Sequence, residues 1–397
     1  MVAAVTPTPA PHVAGAVFEP EHELFRETVR GFLADRVLPR VQEWEDAGIV
    51  DRGLYVEAAK AGLLGFAVPE EFGGGGTADF RLNAVIDDEF GRALAGSAGL
   101  CLSLQNDIVE PYFLELTDDE QKARWLPGLA TGETVLAIAM TEPGTGSDLA
   151  GISTRAVRDG SGPGADWIVD GAKTFISSGQ NADLVVVAVR TSTERGRGLS
   201  LLVVERGMPG FERGRNLAKL GLHGQDTSEL SFSGVRVPAA NMLGIQGSGF
   251  PSLLRNLAQE RLGIAVSAVG GADGALAQTL AYVTERKVFG SPVGSFQSAK
   301  FLLAELATEV DVARTFVTDA VGQHVAGTLT PARAAKAKWW ATEMQARVTD
   351  RCVQLHGGYG YMREYAVGRA FLDARVQTIY GGTTEIMKEI IGRDLGL

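Results

Sequence analysis

Gln259-Glu260-Arg261-Leu262 places a carboxylate inside an otherwise apolar helical run, Leu253–Val266. Burial there would raise the carboxyl pKa and suit Glu260 to proton abstraction. A solvated Glu, or one neutralised by Arg261, reads the same locally. Thr141-Glu-Pro-Gly-Thr-Gly-Ser-Asp148 leaves a predicted strand for a loop. Gly144 and Gly146 expose backbone N–H groups there, and Thr141 and Ser147 offer hydroxyls. The set suits a cofactor's ring edge or a phosphate; an ordinary Gly/Pro turn has the same composition. Lys173-Thr-Phe-Ile-Ser-Ser-Gly179 puts Phe175 two residues before Ser177, so both face one side of a strand. An aromatic wall beside a hydroxyl suits a flat heterocycle, and a core Phe beside a solvated Ser looks alike. Glu285-Arg-Lys-Val-Phe-Gly290, then Phe296-Gln297, sets Arg286 at the end of a long helix. It serves the helix dipole or binds a phosphate. Gln354–Gly360 ends another helix in glycines, and Ile379-Tyr-Gly-Gly-Thr-Thr-Glu385 opens the last one. A helix N-terminus can hold a pyrophosphate or polarise a carbonyl, and both segments are also normal caps.

The elements that must position these groups fall into three regions. Residues 18–134 read helical: Glu21–Leu38, Asp51–Ala61, Ala84–Leu94 and Thr117–Leu126 carry apolar residues at helical spacing. Thr117-Asp-Asp-Glu120 reads as a capping box. Residues 135–244 change to short β-rich runs, Val135–Met140, Trp167–Val169, Leu184–Val189, Leu199–Val204 and Leu230–Phe232. Short runs without long helices between them predict an antiparallel barrel or sandwich. Residues 245–397 are helical again, with Pro251–Val288, Gln297–Ala326 and Pro331–His356 as long helices of an up-down bundle. The expected fold is therefore multi-domain α+β: an N-terminal helical domain, a middle antiparallel β-barrel or sandwich, and a C-terminal four-helix bundle. Residues 1–17 read as a flexible leader.

Composition narrows the function. The 397 residues include 37 Lys+Arg and 48 Asp+Glu, a net charge of −11, which argues against nucleic acid as a partner. Two cysteines far apart, Cys101 and Cys352, exclude a disulfide scaffold and favour a cytosolic, cytoplasmic setting. No histidine pairs with another His, a Cys or a nearby carboxylate at metal-ligand spacing, so no metal site is expected. The longest apolar runs are too short to span a bilayer. Gly73–Gly76 follows no strand, which rules out a dinucleotide fingerprint, and no G-x-S-x-G elbow occurs.

The order of these segments, from about residue 18 to the end, resembles the acyl-CoA dehydrogenase family. Met140–Asp148, Glu285–Gly290, and Gln354–Gly360 followed by Tyr380-Gly-Gly-Thr383 carry the resemblance most specifically. It implies FAD, an acyl-CoA or acyl-carrier substrate, electron transfer flavoprotein as acceptor, and a homotetramer. By position, Thr141, Gly146, Ser147, Phe175 and Ser177 resemble residues that meet the flavin and its phosphate, and Ser147 also the thioester. Arg286, Phe289 and Gln297 resemble residues reaching a neighbouring subunit's FAD. Gln354, Gly358, Thr383 and Glu385 resemble further cofactor contacts; Arg261 and Tyr380 resemble substrate contacts.

One position departs from the commonest pattern. Many members place the catalytic Glu directly after the motif's Tyr, and here that residue is Gly381. Isovaleryl- and long-chain-type members place it on the long helix before an Arg, which is Glu260 here. The resemblance thus implies α,β-dehydrogenation to a trans-2-enoyl thioester. Glu260 takes the α-proton, flavin N5 takes the β-hydride, and the Gly381 N–H binds the thioester carbonyl. A medium or long straight acyl chain is expected first. A short branched or carrier-bound acyl group, a flavin monooxygenase or oxidase, and a nucleic-acid-binding relative are the other readings.

Overall fold

The computed structural model describes residues 17–162, 164–192 and 198–397. The leader expected over 1–17 lies outside them except for Val17. The first region folds into seven helices: α1 (Pro20–Phe32), α2 (Val41–Ala47), α3 (Gly53–Lys60), α4 (Phe80–Arg92), α5 (Gly96–Ser103), α6 (Glu110–Leu116) and α7 (Asp119–Ala130). A π-helical turn, Leu104–Val109, joins α5 to α6. The capping box at α7 sits one residue later than the sequence suggests. Asp118 caps the Gln121 N–H and Gln121 returns to Asp118, while the Thr117 hydroxyl donates to the Phe113 carbonyl. Thr117 therefore finishes the preceding helix and cannot cap the next.

The middle region forms one eight-stranded sheet from β1 (Leu136–Ala139), β2 (Arg155–Arg158), β3 (Trp167–Ser177), β4 (Leu184–Arg190), β5 (Leu199–Glu205), β6 (Phe211–Asn216), β7 (Thr227–Val237) and β8 (Met242–Leu243). The order is β6-β7-β3-β2-β4-β5-β8, with β1 on β4. The sheet is mixed, which corrects the antiparallel expectation. β1 runs parallel to β4, with Leu136 opposite Leu184 and Ala139 opposite Val187. The connection between them is long enough to hold β2 and β3, so a hairpin is not required. β4 is buried on both faces, which explains its unbroken apolar run. Val185, Val187 and Val189 enter the core inside the sheet; Leu184, Val186 and Ala188 pack with Phe113, Trp125 and Leu126 of α6 and α7.

The last region contains α8 (Gly249–Glu285), α9 (Gln297–Val325), α10 (Pro331–His356), α11 (Ala366–Gln377) and α12 (Thr384–Asp394), with a small hairpin of β9 (Lys287–Val288) and β10 (Ser291–Pro292). α8 has the length and composition of a membrane span, but two-thirds of its apolar window is buried inside the protein. Its apolar residues pack with α9, α10 and also α4, whose Phe80 and Ala84 belong to the same core. Glycines permit that approach. A Cβ on Gly270 would lie 2.4 Å from the Asp88 carbonyl, and one on Gly274 2.2 Å from that of Arg92. A buried ion network ties the same helices: Asp88 accepts from Arg26, Arg92 and Arg314, and Asp273 binds Arg92 and Arg314. The face of α8 that carries Glu260 is thereby held against the N-terminal helices.

Candidate active site

Glu260 is buried at 4% exposure, one turn beyond Asn256 on α8. The Tyr112 hydroxyl of α6 and the Asn256 amide both donate to its Oε1, each at 3.2 Å. Burial pushes the carboxyl up to about 7, against the Tyr112 hydrogen bond, the Arg261 charge and the Asn256 hydrogen bond. The group is poised for a general base at neutral pH. A cleft lined by Tyr112, Glu115, Leu116, Ser252, Arg255 and Asn256 opens between α6 and the start of α8, against both partners.

The turn before α12 faces this carboxylate's helix. Gly381 and Gly382 both have left-handed backbones, φ +63° and +99°. A Cβ on Gly381 would lie 2.4 Å from Ile264 Cδ1, one turn past Glu260. A carboxylate side chain thus meets both steric and backbone opposition at 381, while α8 supplies one at 260. Arg261 Nε donates to the Gly381 carbonyl at 3.3 Å, and the buried Lys338 Nζ of α10 to the Gly382 carbonyl at 2.6 Å. Burial lowers the pKa of Arg261, opposed by Glu260. Tyr380 is half-buried; burial, with Asp87 and Asp373 nearby, pushes its phenol up.

A second group of predicted residues meets at the sheet. Phe175 bulges from β3 at φ +58°, where the pairing with β7 shifts register, and its ring is 67% exposed. Ser177 lies half-buried two residues on, and the buried Ile176 points the other way. The Thr174 N–H donates to the Thr141 carbonyl at 2.9 Å, which joins the bulge to the Thr141–Asp148 loop. Gly146 and Ser147 are exposed on that loop, and nothing lies within 4 Å of a Cβ placed on Gly144 or Gly146. Two unassigned residues of the quoted segments build the loop. Lys173 Nζ donates to Glu142 at 2.9 Å and to the Met140 carbonyl at 3.0 Å, and both side chains are buried. Burial opposes the Glu142 charge, but hydrogen bonds from Ser153, Thr154 and Lys173 outweigh it and hold the carboxyl at about 2.

The residues fit FAD. An exposed ring at a bulge, with free hydroxyls and an open glycine loop beside it, offers a wall for a flat heterocycle and donors for phosphate. Thr383 caps α12 by accepting the Ile386 N–H, and Glu385 is exposed in its first turn. Arg286, Phe289, Gln297, Gln354 and Gly358 gather elsewhere, around the C-terminal end of α8 and of α10, and all are exposed. Arg286 lies over the Tyr359 ring at 5.3 Å, and Phe289 is 99% exposed at φ +49°. Arg286 is about 40 Å along α8 from Glu260 at ~1.5 Å per residue. The Arg286 group therefore lies far along α8 from the base.

Sequence reading missed Tyr112, Asn256, Lys338, Glu142 and Lys173. Asn256 was findable at i−4 from Glu260 on a helix; Tyr112 and Lys338 come from distant helices and carry no local signal. Glu19 and Glu21 approach His22 to within 4.8 Å of its ligand atoms. Folding brings the helix start together, but His22 Nδ1 accepts the Glu19 N–H and Nε2 faces Asp79 at 3.2 Å. Both cysteines are buried and free.

Residues 19–133, 137–235 and 247–396 match the N-terminal, middle and C-terminal domains of acyl-CoA dehydrogenase respectively. The chain is 46% identical over 382 residues to a mitochondrial long-chain specific acyl-CoA dehydrogenase of Sus scrofa, covering 96% of this chain and 87% of that one. An acyl-CoA dehydrogenase from Geobacillus kaustophilus superimposes with a TM-score of 0.91 at 46% identity, covering 96% of this chain and 99% of that one. A glutaryl-CoA dehydrogenase from Mycobacterium smegmatis in complex with FADH2 gives 0.88 at 29% identity, over 96% and 95% of the two chains.

Proposed function

The chain belongs to the acyl-CoA dehydrogenase family, and we propose that Glu260 is the base with which it oxidises a medium-to-long-chain acyl-CoA. The reaction is FAD-dependent α,β-dehydrogenation of an acyl-CoA thioester. FAD, when bound, supplies the two-electron acceptor that receives the β-hydrogen as hydride. The observation behind the base is a buried carboxylate at 260, lifted to about 7, beside a turn whose Gly381 has a left-handed backbone that disfavours a side chain.

Glu260 takes the α-proton, and the C–H electron pair stays with the substrate. The Gly381 N–H donates a hydrogen bond to the thioester oxygen and stabilises the charge that develops there. Arg261 steadies this turn through the Gly381 carbonyl, and Tyr380 and Ser147 border the substrate. Packing of α6 against α8 excludes water from the carboxylate and keeps its basicity high. Thr141, Gly146, Ser147, Phe175 and Ser177 hold the FAD of their own chain, with Thr383 and Glu385 at the α12 end. Arg286, Phe289, Gln297, Gln354 and Gly358 hold the FAD of a neighbouring copy. The wholly exposed Phe289, distant from Glu260, supports that assignment, and with it a homotetramer. Electron transfer flavoprotein reoxidises the enzyme, and the two free thiols suit a cytoplasmic setting.

Anaerobic mixing of the FAD-loaded protein with short, long and branched acyl-CoAs tests the reading. Flavin bleaching fastest with long straight chains is expected. Glu260→Gln should keep FAD and acyl-CoA binding and lose about 10²–10⁴-fold in bleaching rate. Near-normal bleaching in that variant removes Glu260 from the role.

A further inference from the structure

Lys338 is buried with 0% exposure on α10. Among the described residues no carboxylate pairs with it. Its Nζ is spent on one backbone carbonyl, that of Gly382, at 2.6 Å. Burying an unpaired cation is costly: burial, with the Arg261 charge nearby, lowers the Lys338 ammonium to about 7. The turn it grips is the one that presents the Gly381 N–H. Arg261, from α8, takes the preceding carbonyl, that of Gly381, at 3.3 Å. Two side-chain donors from two helices thus hold consecutive carbonyls of a two-glycine turn. Glycine turns are the most mobile backbone available, so an N–H donor built on one must be fixed from outside. The Lys338 stem also lies beneath it: a Cβ on Gly381 would be 4.0 Å from Lys338 Cε. Among the described residues neither the Gly381 nor the Gly382 N–H is donated within the chain.

We propose that Lys338 is a positioning residue for the dehydrogenation: by holding the Gly382 carbonyl it aims the Gly381 N–H at the substrate's thioester oxygen. The proposal rests on the Gly381 reading above. Lys338, wholly buried, acts through the turn it holds. Its contribution appears as enolate-like charge develops on the oxygen, so it acts on kcat more than on KM. Arg261 alone cannot replace it, since it holds the other carbonyl.

The test uses the FAD-loaded enzyme and a long-chain trans-2-enoyl-CoA isotopically labelled at the thioester carbonyl carbon. Infrared difference spectra report polarisation of the bound carbonyl. Lys338→Met keeps the stem and loses the donor and charge. It should lower kcat about 10- to 100-fold, leave KM within about threefold, and return the carbonyl band most of the way to its unbound position. Lys338→Gln keeps a donor without charge; a smaller loss and a band displaced in the same direction are expected, and this variant serves if the first does not fold. A kcat near the parent value in a folded, FAD-loaded variant overturns the proposal. So does a fall in kcat with the band unmoved, which marks Lys338 as structural only. An unshifted band in the unmodified enzyme instead overturns the Gly381 reading, and this one with it. Glu260→Gln should keep the shifted band while losing turnover, which separates the base from the turn.

Discussion

The base works at neutral pH because its surroundings keep it only weakly charged. Glu260 is raised to about 7 by burial, with Tyr112 and Asn256 pulling the other way. The free enzyme's kcat/KM should rise with pH to a plateau above about 7. Tyr112→Phe removes a donor to the charged form, so that rise should move up by about one unit. Activity near pH 6 should fall about tenfold and activity near pH 9 little; an unmoved profile would detach Tyr112 from the base. The same shift has a stability consequence. The folded value lies above the unfolded one, near 4.5, so the native state binds the extra proton between them. Stability from this group therefore declines as pH rises from about 4.5 to 7 and is flat beyond. Glu260→Gln should make the FAD-free protein more stable by up to about 3 kcal/mol at pH 8, with no gain at pH 4. Denaturant titration at the two pH values checks it. The residues around Glu260 left a solvated carboxylate equally open, and it was the resemblance, with Gly381 at the other base position, that singled it out. Tyr112 was not legible, because 148 residues separate it from the atom it touches.

Elements were legible where one periodicity runs long. α10 spans the same residues, Pro331–His356, in sequence and structure, because Thr330 caps it before Pro331 and glycines follow it. The sheet was legible as strands but not as pairings: the parallel β1–β4 contact depends on a long connection that alternation does not encode. The loop that carries Thr141 and Ser147 shows why motifs under-report their own construction. Its shape depends on the buried Lys173–Glu142 pair, whose members belong to two different motifs. Glu142→Gln leaves the Lys173 ammonium buried without its counter-charge and should cost about 3–5 kcal/mol. The loss should show in denaturant titration and in weaker FAD retention. Equal stability would mean the pair merely fills space. The α4–α8 contact is as sensitive. Gly270→Ala puts a methyl group against the Asp88 carbonyl, and α4 must retreat from the helix that bears Glu260. A loss of about 1–3 kcal/mol is expected, together with a drop in kcat, since α6 and Tyr112 belong to the same helical layer.

At the scale of the whole molecule, the predicted cofactor residues fall into separate groups. Thr141, Ser147 and Phe175 belong to the sheet, whereas Arg286, Phe289 and Gln297 sit where α8 ends. About 40 Å along α8 separates Glu260 from Arg286. If both clusters serve FAD, every site takes its base from one chain and its Arg286 from another. That arrangement permits complementation. Glu260→Gln ruins the half that the chain keeps for itself, and Arg286→Glu ruins the half that it lends. In a mixed pair, the site holding Glu260 receives an intact Arg286 from the other chain, and the second site receives neither. Each variant alone should be nearly inactive. After unfolding and refolding an equal mixture with FAD, about a quarter of the parent activity should return if chains pair at random. Activity no higher than the mean of the two separate variants would place both residues in the service of the same chain and refute the shared site.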